Sequence, residues 1–563
     1  MMPNHKTFSV QEVLDQVFSE EVDIEENVSE IEDNVVEDPD YGASSSDEDE
    51  TLDAEVPVNT GTPADIFLSK NGKLSWSPAP RQRQGRLSAG NVIKMVPGPT
   101  RYAISRVQDI KSAFELLMTP SIENHVLLMT NLEGSRVFGD SWKPIDAIDL
   151  QAYIGLLILG GVYKSKGEAA ESLWNKETGR AIFPATMSLK KFHIMSRVLR
   201  FDDREKRQGR REHDKLAAIR DVWDKWVQQL PLLYNPGPHV TVDECLVAFR
   251  GRCPFRQYIP SKPAKYGIKI WAACDAQSSY AWNMQVYTGK APGEAPEKNQ
   301  GMRVVLDMAE GLEGHNITCD NFFTSYALGE ELAKRKVTML GTVRKNKPEL
   351  PSELVAIKNR QATSSVFAFT ENATAVSYCP KKGKNVVLMS TMHKDAQLST
   401  REDKKPQMVL DYNATKGGVD NLDKVTGTYS CRRMTARWPL VVFFNIIDVS
   451  AYNAFVLWRE ISEGWNSEKL YRRRLFLEQL GYALVQPQIA RRVVLPRASA
   501  AAVVIVEDVQ REAHTSNPPV ARGQKRGRCQ ICSTRNDNKT TNTCGGCGKY
   551  ICKEHIRCGS CAQ

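Results

Sequence analysis

The 563-residue chain has a net charge of +8, but the charge is unevenly distributed. Residues 7–69 contain twenty Asp or Glu and no Lys or Arg, so the remainder of the chain carries a net +28. This length exceeds one compact core and predicts roughly three or four domains. A body this basic favours a polyanionic partner such as nucleic acid, because Lys and Arg that neutralise phosphates release counterions.

Neither secretion nor membrane insertion fits the sequence. The N-terminus lacks a basic and then apolar secretory pattern, so we interpret the thirteen cysteines as metal ligands or thiols in a reducing compartment. The apolar run 438–458 is nearly long enough to span a bilayer, but it contains Asn445, Asp448, Ser450 and Asn453. An aspartate at the bilayer centre costs about 2.5–3.5 kcal/mol. We therefore expect a helix buried in protein and no membrane partner.

The first three segments change character along the chain. Residues 1–95 are acidic and poor in aromatics, which predicts disorder. Residues 96–237 carry apolar residues at three-and-four spacing, which predicts a helical domain. In residues 238–345 three β-branched or aromatic runs precede alternating helical and strand patterns. This order is typical of an RNase H-like α/β domain.

The second half of the chain contains an insertion, returns to the α/β and helical patterns and then reaches a cysteine-rich module. Residues 346–407 are rich in Lys, Ser and Thr and indicate an insertion domain, after which 408–430 returns to the α/β domain as a strand-like run and a helix. Residues 431–495 complete the helical domain, 496–527 form a basic linker and 528–563 form a cysteine-rich module. The predicted fold class is multi-domain α+β, with an interrupted RNase H-like domain flanked by a split helical domain.

Carboxylates fall where an RNase H-like domain places its metal ligands. Such domains hold two divalent ions on the first strand, after the fourth strand and on a late helix. Asp243 lies in the first predicted strand. Asp320 directly follows the run "NIT" and Cys319. In "KGGVDNLDK", Asp420 and Asp423 are three apart and share a helix face. A D-x-x-D pair is more often a solvated face, so the pair is informative only together with the other two aspartates.

The longer stretches carry a family resemblance. "VDECLVAFRGRCPFRQYIPSKPAKYGIKI", "NITCDNFFTS", "LGTVRKNK", "KGGVDNLDK" and "RWP" resemble the piggyBac family of cut-and-paste DNA transposases, in the same order and over roughly residues 100–563. The resemblance implies catalytic, metal-binding roles for Asp243, Asp320, Asp420 and Asp423, with Mg²⁺ or Mn²⁺ as the cofactor. It also implies cleavage at transposon terminal inverted repeats, a hairpin intermediate, integration at TTAA and a nuclear location. By the same resemblance, the helical segments 96–237 and 431–495 serve in dimerisation as a homodimer and in DNA binding.

Basic residues follow the first aspartate closely. Arginine and lysine side chains interleaved with Phe255, Tyr258 and Tyr266 suit backbone phosphates and stacked bases, although a solvated basic loop is the alternative. The resemblance implies that Arg344 and Lys347 engage target DNA and that Trp438 contacts DNA. For Trp438, a packing role is an equal alternative. The DNA-contact candidates are Arg250, Arg252, Arg256, Lys262, Lys265, Arg344, Lys347 and Trp438, and Lys269 belongs to the same basic run.

The C-terminal module is the strongest local motif. Its four ligand pairs provide eight ligands, enough for two tetrahedral Zn²⁺ ions. Cross-bracing would place the first and third pairs on one ion and the second and fourth on the other. The eight ligands are Cys529, Cys532, Cys544, Cys547, Cys552, His555, Cys558 and Cys561. The other six cysteines lack such spacing, and we expect them to pack in the core.

Three functions are compatible with these patterns. The first is an active piggyBac-type transposase, and the second is a host-adopted, catalytically silent DNA-binding or chromatin protein that kept the fold. The third takes the zinc module as part of a RING-like ubiquitin ligase, which leaves the four aspartates unexplained. The four intact aspartates favour the first.

Overall fold

In the computed structural model, the described residues are 66–80, 92–260, 262–289, 297–497, 499–516 and parts of 527–554. They divide into two compact units: one contains Met1–Gly167 and Ile194–Leu484, and the other contains Glu168–His193 and Val485–Gln563. This division separates 168–193 from the rest of the predicted helical segment 96–237. Cysteine-module ligands 544, 547, 555, 558 and 561 lie outside the described residues.

Helices dominate the described chain before residue 234 and after residue 406. Asp146 caps one of them by accepting a 2.9 Å hydrogen bond from the Asp149 amide, and Pro120 begins another at a position that needs no amide donor. The helices are α1 Arg101–Ile104, α2 Ile110–Glu115, α3 Pro120–Phe138, α4 Ala147–Val162, α5 Ala170–Trp174, α6 Ile182–Thr186, α7 Leu189–Val198, α8 Arg207–Arg211, α9 Arg220–Val227, α10 Gln229–Leu233, α11 Gln300–Met308, α12 Tyr326–Lys334, α13 Ser352–Val355, α14 Gln407–Thr415, α15 Gly418–Thr428, α16 Trp438–Ile461, α17 Arg472–Ala490 and α18 Ala500–Ser516. A 3₁₀ turn covers Gly139–Ser141.

One large mixed sheet forms the centre of the first unit. The strands are β1 Phe67–Leu68, β2 Ser75–Trp76, β3 Gly98–Pro99, β4 Tyr234–Asn235, β5 His239–Ala248, β6 Arg256–Tyr258, β7 Tyr266–Asp275, β8 Ala281–Val286, β9 Asn316–Cys319, β10 Thr338–Thr342, β11 Ser365–Phe369, β12 Thr374–Lys381, β13 Lys384–Ser390, β14 Gly527–Arg528 and β15 Lys539–Thr540. The sheet order is β11-β12-β13-β10-β9-β5-β7-β6, and β8 also pairs with β7.

The middle of this sheet contains five strands of mixed direction. β5, β7 and β8 pair antiparallel in succession, while β9 is parallel to both β5 and β10. Numbered along the chain, these five strands lie side by side in the order 3-2-1-4-5. The carboxyl ends of β5 and β9 consequently point to the same edge of the sheet.

The predicted insertion extends the sheet. β13 pairs antiparallel with β10, and β12 and β11 follow outward. The strand-like run predicted at 408 was wrong, because residues 407–415 form helix α14. Met408 and Val409 pack into the core of the extended sheet beside Leu340. Tertiary packing therefore outweighs the β-propensity of the run "MVLDY".

The long apolar helix α16 is buried in protein, as predicted. Among the described residues it is the one helix that is long and apolar enough to cross a membrane, and 89% of its most apolar window is buried. Two of its polar side chains, Asn453 and Ser450, have internal partners. Asn453 binds both the amide and the carbonyl of Ala281, at 3.0 and 2.9 Å, and Ser450 accepts a 2.9 Å bond from Trp226.

A short hairpin lies inside the segment expected to be disordered. β1 and β2 pair antiparallel, and Trp76 is fully buried, with its indole N–H donating 2.9 Å to the Glu349 carbonyl. The Trp76 and Tyr326 rings meet edge to face, with centroids 6.0 Å apart. One large aromatic side chain thus gives this segment a core contact that its average composition does not reveal.

The second unit has its own aromatic core. Trp174 packs against Phe183 and Phe192, with ring centroids 5.0 and 4.9 Å apart. The guanidinium of Arg492 donates to the Ala185 carbonyl at 2.7 Å, which ties the segment after α17 to α6. Near the C-terminus β14 and β15 form a two-stranded ribbon.

Candidate active site

Two of the predicted aspartates are neighbours at one edge of the sheet. Val242 of β5 is in register with Cys319 of β9 in a parallel pairing. Asp243 follows Val242 and Asp320 follows Cys319, so the two aspartates lie side by side. The Asp243 carboxylate accepts a 2.8 Å bond from the Glu244 amide, and that of Asp320 accepts 2.9 Å from the Phe322 amide.

Helix α15 is held against this edge by close contacts at its start. The Thr241 hydroxyl donates 2.6 Å to the Thr415 carbonyl, and the Thr318 and Thr415 hydroxyls are 2.8 Å apart. A Cβ on Gly418 would lie 2.6 Å from the Thr241 Oγ1. Glycine is therefore required here for the helix to approach β5. By contrast, a Cβ on Gly417 would meet nothing within 4 Å.

The other two aspartates lie on α15 in different environments. Asp420 is in the first turn, and its side chain is 70% exposed. Asp423, one turn later, is half-buried beside Cys245 of β5. Burial raises the pKa of its carboxyl group, while Cys245 and Lys262 oppose the rise. α15 thus presents one exposed and one half-buried carboxylate to the sheet edge.

Burial and mutual repulsion perturb the carboxylates of the sheet edge. Burial, Glu244 and Asp320 raise the pKa of Asp243 well above its ordinary value. Burial and Glu244 raise the pKa of Asp320 to about 6, although the Phe322 amide and Arg344 act in the opposite direction. Concentrated carboxylates whose ionised forms are unfavourable are typical of a functional site.

Glu244 and Lys262 were not assigned to this cluster from sequence. Glu244 is buried, and its side chain is 3% exposed. Burial lowers the pKa of Lys262, but Glu244, Asp243, Asp423 and Asp420 together outweigh burial and raise it. The acidic residue beside Asp243 in "VDE" was the available sequence signal, although strand alternation predicts that adjacent side chains face opposite ways.

The donor set fits a hard divalent cation. Carboxylate oxygens are preferred by Mg²⁺ and Mn²⁺, and added positive charge would relieve the repulsion at Asp243 and Asp320. The aspartate oxygens do not form a group within 4.8 Å of one another; in the described part of the chain such a group is formed by three cysteines. Asp243, Asp320, Asp420 and Asp423 are the residues that would hold such an ion.

The basic loop after β5 divides into exposed and internal side chains. Arg250, Arg252 and Lys265 are exposed, as a contact with DNA phosphates requires. Arg256 instead donates 2.9 Å to the carbonyls of Arg250 and Gly251. Its guanidinium closes the loop and stabilises the backbone that presents the exposed arginines.

Several aromatic and basic candidates have packing roles. Phe255 is 2% exposed, and its ring packs edge to face on Trp438 with centroids 4.9 Å apart. Neither ring stands free for base stacking, so the packing alternative for Trp438 is favoured. Lys269 is 1% exposed, and its ammonium lies 5.0 Å from the Phe322 ring centroid. The expectation that Lys269 contacts phosphate was wrong, because β7 directs it into the interior.

The loop after β10 brings two further candidates beside the acidic edge. The Arg344 guanidinium donates 3.4 Å to the Asn321 side chain and favours the ionised form of Asp320. Lys347 closes the turn through its amide, which donates 3.1 Å to the Arg344 carbonyl. Arg344 is thus within electrostatic reach of the acid site, and both side chains are half-buried.

The cysteine module shows part of the predicted cross-brace. Ligand atoms of Cys529, Cys532 and Cys552 all lie within 4.8 Å of one another, and the Sγ atoms of Cys532 and Cys552 are 3.6 Å apart. Two thiolates bound tetrahedrally to zinc at about 2.3 Å would be about 3.8 Å apart. Both cysteines of the first pair therefore meet Cys552 of the third pair, as cross-bracing requires. The six cysteines outside the module are all buried, as predicted: Cys245, Cys253, Cys274, Cys319, Cys379 and Cys431.

Comparison with known proteins identifies the family. A family model described as Transposase IS4 matches residues 110–455, more than half of the chain. A solved structure described as a piggyBac transposase synaptic complex with hairpin DNA superposes with a TM-score of 0.68 at 32% identity, covering 83% of this chain and 100% of that one. The chain belongs to the piggyBac-type transposases.

Curated human relatives of this piggyBac-type chain are more distant. PiggyBac transposable element-derived protein 3 is 25% identical over 293 residues, covering 48% of this chain and 49% of that protein. PiggyBac transposable element-derived protein 2 is 21% identical over 427 residues, 69% of each chain. The chain thus spans about half the length of the first of these relatives.

Proposed function

We propose that this chain is a DNA transposase that excises and integrates a piggyBac-like element at TTAA sites, through metal-dependent strand cleavage, hairpin formation and strand transfer. The observation that carries the proposal is the parallel pairing that sets Asp243 beside Asp320, with the Asp420 and Asp423 helix held against the same edge. Family membership and a structural neighbour in complex with hairpin DNA support it.

The four aspartates would hold the divalent ions and the exposed arginines would guide DNA to them. Mg²⁺ or Mn²⁺, when bound, supplies Lewis acidity that activates the attacking oxygen and stabilises the leaving oxygen. Asp423 and the sheet aspartates fix the buried side of the site, while exposed Asp420 faces the solvent from which DNA enters. Arg250, Arg252 and Lys265 provide sequence-independent phosphate contacts, and Arg344 adds positive charge beside Asp320.

The remaining parts of the proposal concern partners and location. The substrate is DNA bearing terminal inverted repeats, and two copies of the chain would hold the two ends as a homodimer. The cysteine module would bind two Zn²⁺ ions and contribute to recognition of the ends. Action on chromosomal DNA places the protein in the nucleus.

Excision from a donor plasmid tests the proposal, with the repeats that flank the protein's own genomic locus as substrate. Wild-type protein is expected to restore an intact TTAA, and Asp243→Asn or Asp320→Asn is expected to abolish excision while leaving expression unchanged. Asp395→Asn is the matched control, because Asp395 is an exposed aspartate on the loop after β13. Excision by Asp243→Asn at the wild-type level would overturn the assignment.

A further inference from the structure

The ammonium of Lys262 lies among the carboxylates. It donates 3.0 Å to the Glu244 carbonyl and lies 3.9 Å from both a Glu244 side-chain oxygen and an Asp420 oxygen. The Lys262 side chain is 19% exposed and that of Glu244 is 3% exposed. One cation thus bridges strand β5 and helix α15 across the candidate metal site.

The loop that carries Lys262 is closed by its own backbone. The Lys262 amide donates 3.2 Å to the Ile259 carbonyl, the Ile259 amide donates 2.7 Å to the Lys265 carbonyl, and the Lys265 amide donates 3.0 Å to the Lys262 carbonyl. These bonds fix the backbone of Lys262, and the Glu244 carbonyl binds its ammonium.

The two carboxylates that Lys262 bridges differ in accessibility. Glu244 is buried, whereas the Asp420 side chain is 70% exposed. An ion that enters from solvent meets the Asp420 side of the bridge first. The contact at 3.9 Å is longer than a direct ion-pair hydrogen bond, so the ammonium can be separated from Asp420 without loss of its bond to the Glu244 carbonyl.

We propose that Lys262 is the built-in counter-cation of the carboxylate site, neutralising Asp420 in the metal-free protein and giving way there to an incoming divalent cation. In this exchange the divalent cation takes the place of the ammonium at Asp420, the Glu244 carbonyl retains the ammonium, and the site gains two positive charges. Lys262 thereby lowers the intrinsic metal affinity and keeps the unliganded carboxylates together. This inference rests on the proposed metal-dependent function.

Mn²⁺ binding to the full-length, zinc-loaded protein without DNA tests the exchange, with free Mn²⁺ measured by electron paramagnetic resonance. Lys262→Gln removes the competing charge and is expected to lower the Mn²⁺ Kd about fivefold to tenfold, because a like charge so close to an ion is strongly unfavourable. Lys262→Arg keeps the charge and should bind like wild type. Lys382→Gln is the charge-matched control, because it changes an exposed lysine of the turn between β12 and β13 and should leave the Kd unchanged.

A double-mutant cycle separates exchange at Asp420 from a general charge effect. In an Asp420→Asn background, Lys262→Gln is expected to change the Mn²⁺ Kd by less than about twofold, since the two residues then no longer interact. An unchanged or weaker Kd in Lys262→Gln, or an equal effect in both backgrounds, would overturn the inference while leaving the proposed function intact. Failure of wild-type protein to bind Mn²⁺ at all would overturn both.

Discussion

At the scale of single residues, the candidate site is a set of carboxylates whose ionisation is costly. Burial and neighbouring carboxylates raise the pKa values of Asp243 and Asp320, while Lys262 lies between Glu244 and Asp420. A buried structural cluster would be expected to have its negative charge fully paired. Here the charge is left in excess at an accessible edge, which is the electrostatic requirement of a cation site.

Asp320 makes this claim testable through pH. Its folded-state pKa of about 6 lies above its ordinary value of 3.8, so between these values the folded protein retains a proton that the unfolded chain has released. The stability of the metal-free protein should therefore fall as pH rises through this window. Asp320→Asn should remove that fall and raise the free energy of unfolding at pH 7.5 by about 1–3 kcal/mol, with an effect near pH 4.5 of about a third of that size.

Urea titrations of wild type and Asp320→Asn at the two pH values, in buffer free of Mg²⁺ and Mn²⁺, measure this difference. Asp395→Asn supplies the comparison for loss of an exposed carboxylate. If Asp320→Asn changed stability equally at pH 4.5 and pH 7.5, the raised pKa would be wrong.

At the scale of elements, the site depends on how closely α15 approaches β5. Thr241, Thr318 and Thr415 link the two central strands to the residues just before the helix. Gly418 permits the contact, because a Cβ there would lie 2.6 Å from the Thr241 hydroxyl oxygen. The positions of Asp420 and Asp423 thus follow from one close glycine contact.

Gly418→Ala should displace the start of α15 and reduce cleavage far more than it reduces stability. We expect a loss of at least about tenfold in cleavage rate, because ångström-scale misplacement is costly in catalysis, and a stability loss of about 1–3 kcal/mol from overpacking. Gly417→Ala is the neighbouring control with open space around its new methyl group. Equal cleavage rates in the two variants would show that the approach of α15 is not what positions the aspartates.

The hairpin β1–β2 makes a second prediction at this scale. Trp76 is fully buried and binds the Glu349 carbonyl, in the segment that follows Arg344 and Lys347. Trp76→Ala should release the hairpin and increase amide hydrogen exchange across 344–351, since removal of a buried tryptophan costs about 3–5 kcal/mol. Leu68→Ala changes a 59% exposed residue of the same hairpin and should leave exchange unchanged. Unaltered exchange in Trp76→Ala would mean that the hairpin does not hold this loop.

At the scale of the whole molecule, the residues within a short motif could be predicted from sequence. Which residues distant along the chain lie together in the fold could not. The order of the predicted elements put Asp243 in the first strand and Asp320 at a strand end, but the resemblance to the piggyBac family was needed to join them with Asp420 and Asp423 as one set. The helix at 407–415 could not be predicted, because Met408 and Val409 take their environment from the extended sheet. The roles of Arg256 and Lys262 depend on contacts that a basic loop does not specify by composition.

The cysteine module predicts how many zinc ions the intact chain binds. Cross-bracing implies two zinc ions per chain, and Cys529, Cys532 and Cys552 already form one partial site. Cys532→Ser should lower zinc measured by mass spectrometry from about two ions per chain to about one. Cys379→Ser changes a buried cysteine outside the module and should leave zinc content at the wild-type value. An unchanged zinc content in Cys532→Ser would contradict the pairing.

The most direct test of the central claim is cleavage of a labelled duplex that carries the inverted repeats flanking the protein's own locus beside TTAA. With Mg²⁺ present, purified wild-type protein should nick the transposon end and then form a hairpin product, and omission of Mg²⁺ or Asp320→Asn should abolish both products. Specific binding of the ends without cleavage, under conditions in which a related active transposase cuts its own ends, would contradict the account and identify a DNA-binding protein that keeps the fold without the reaction.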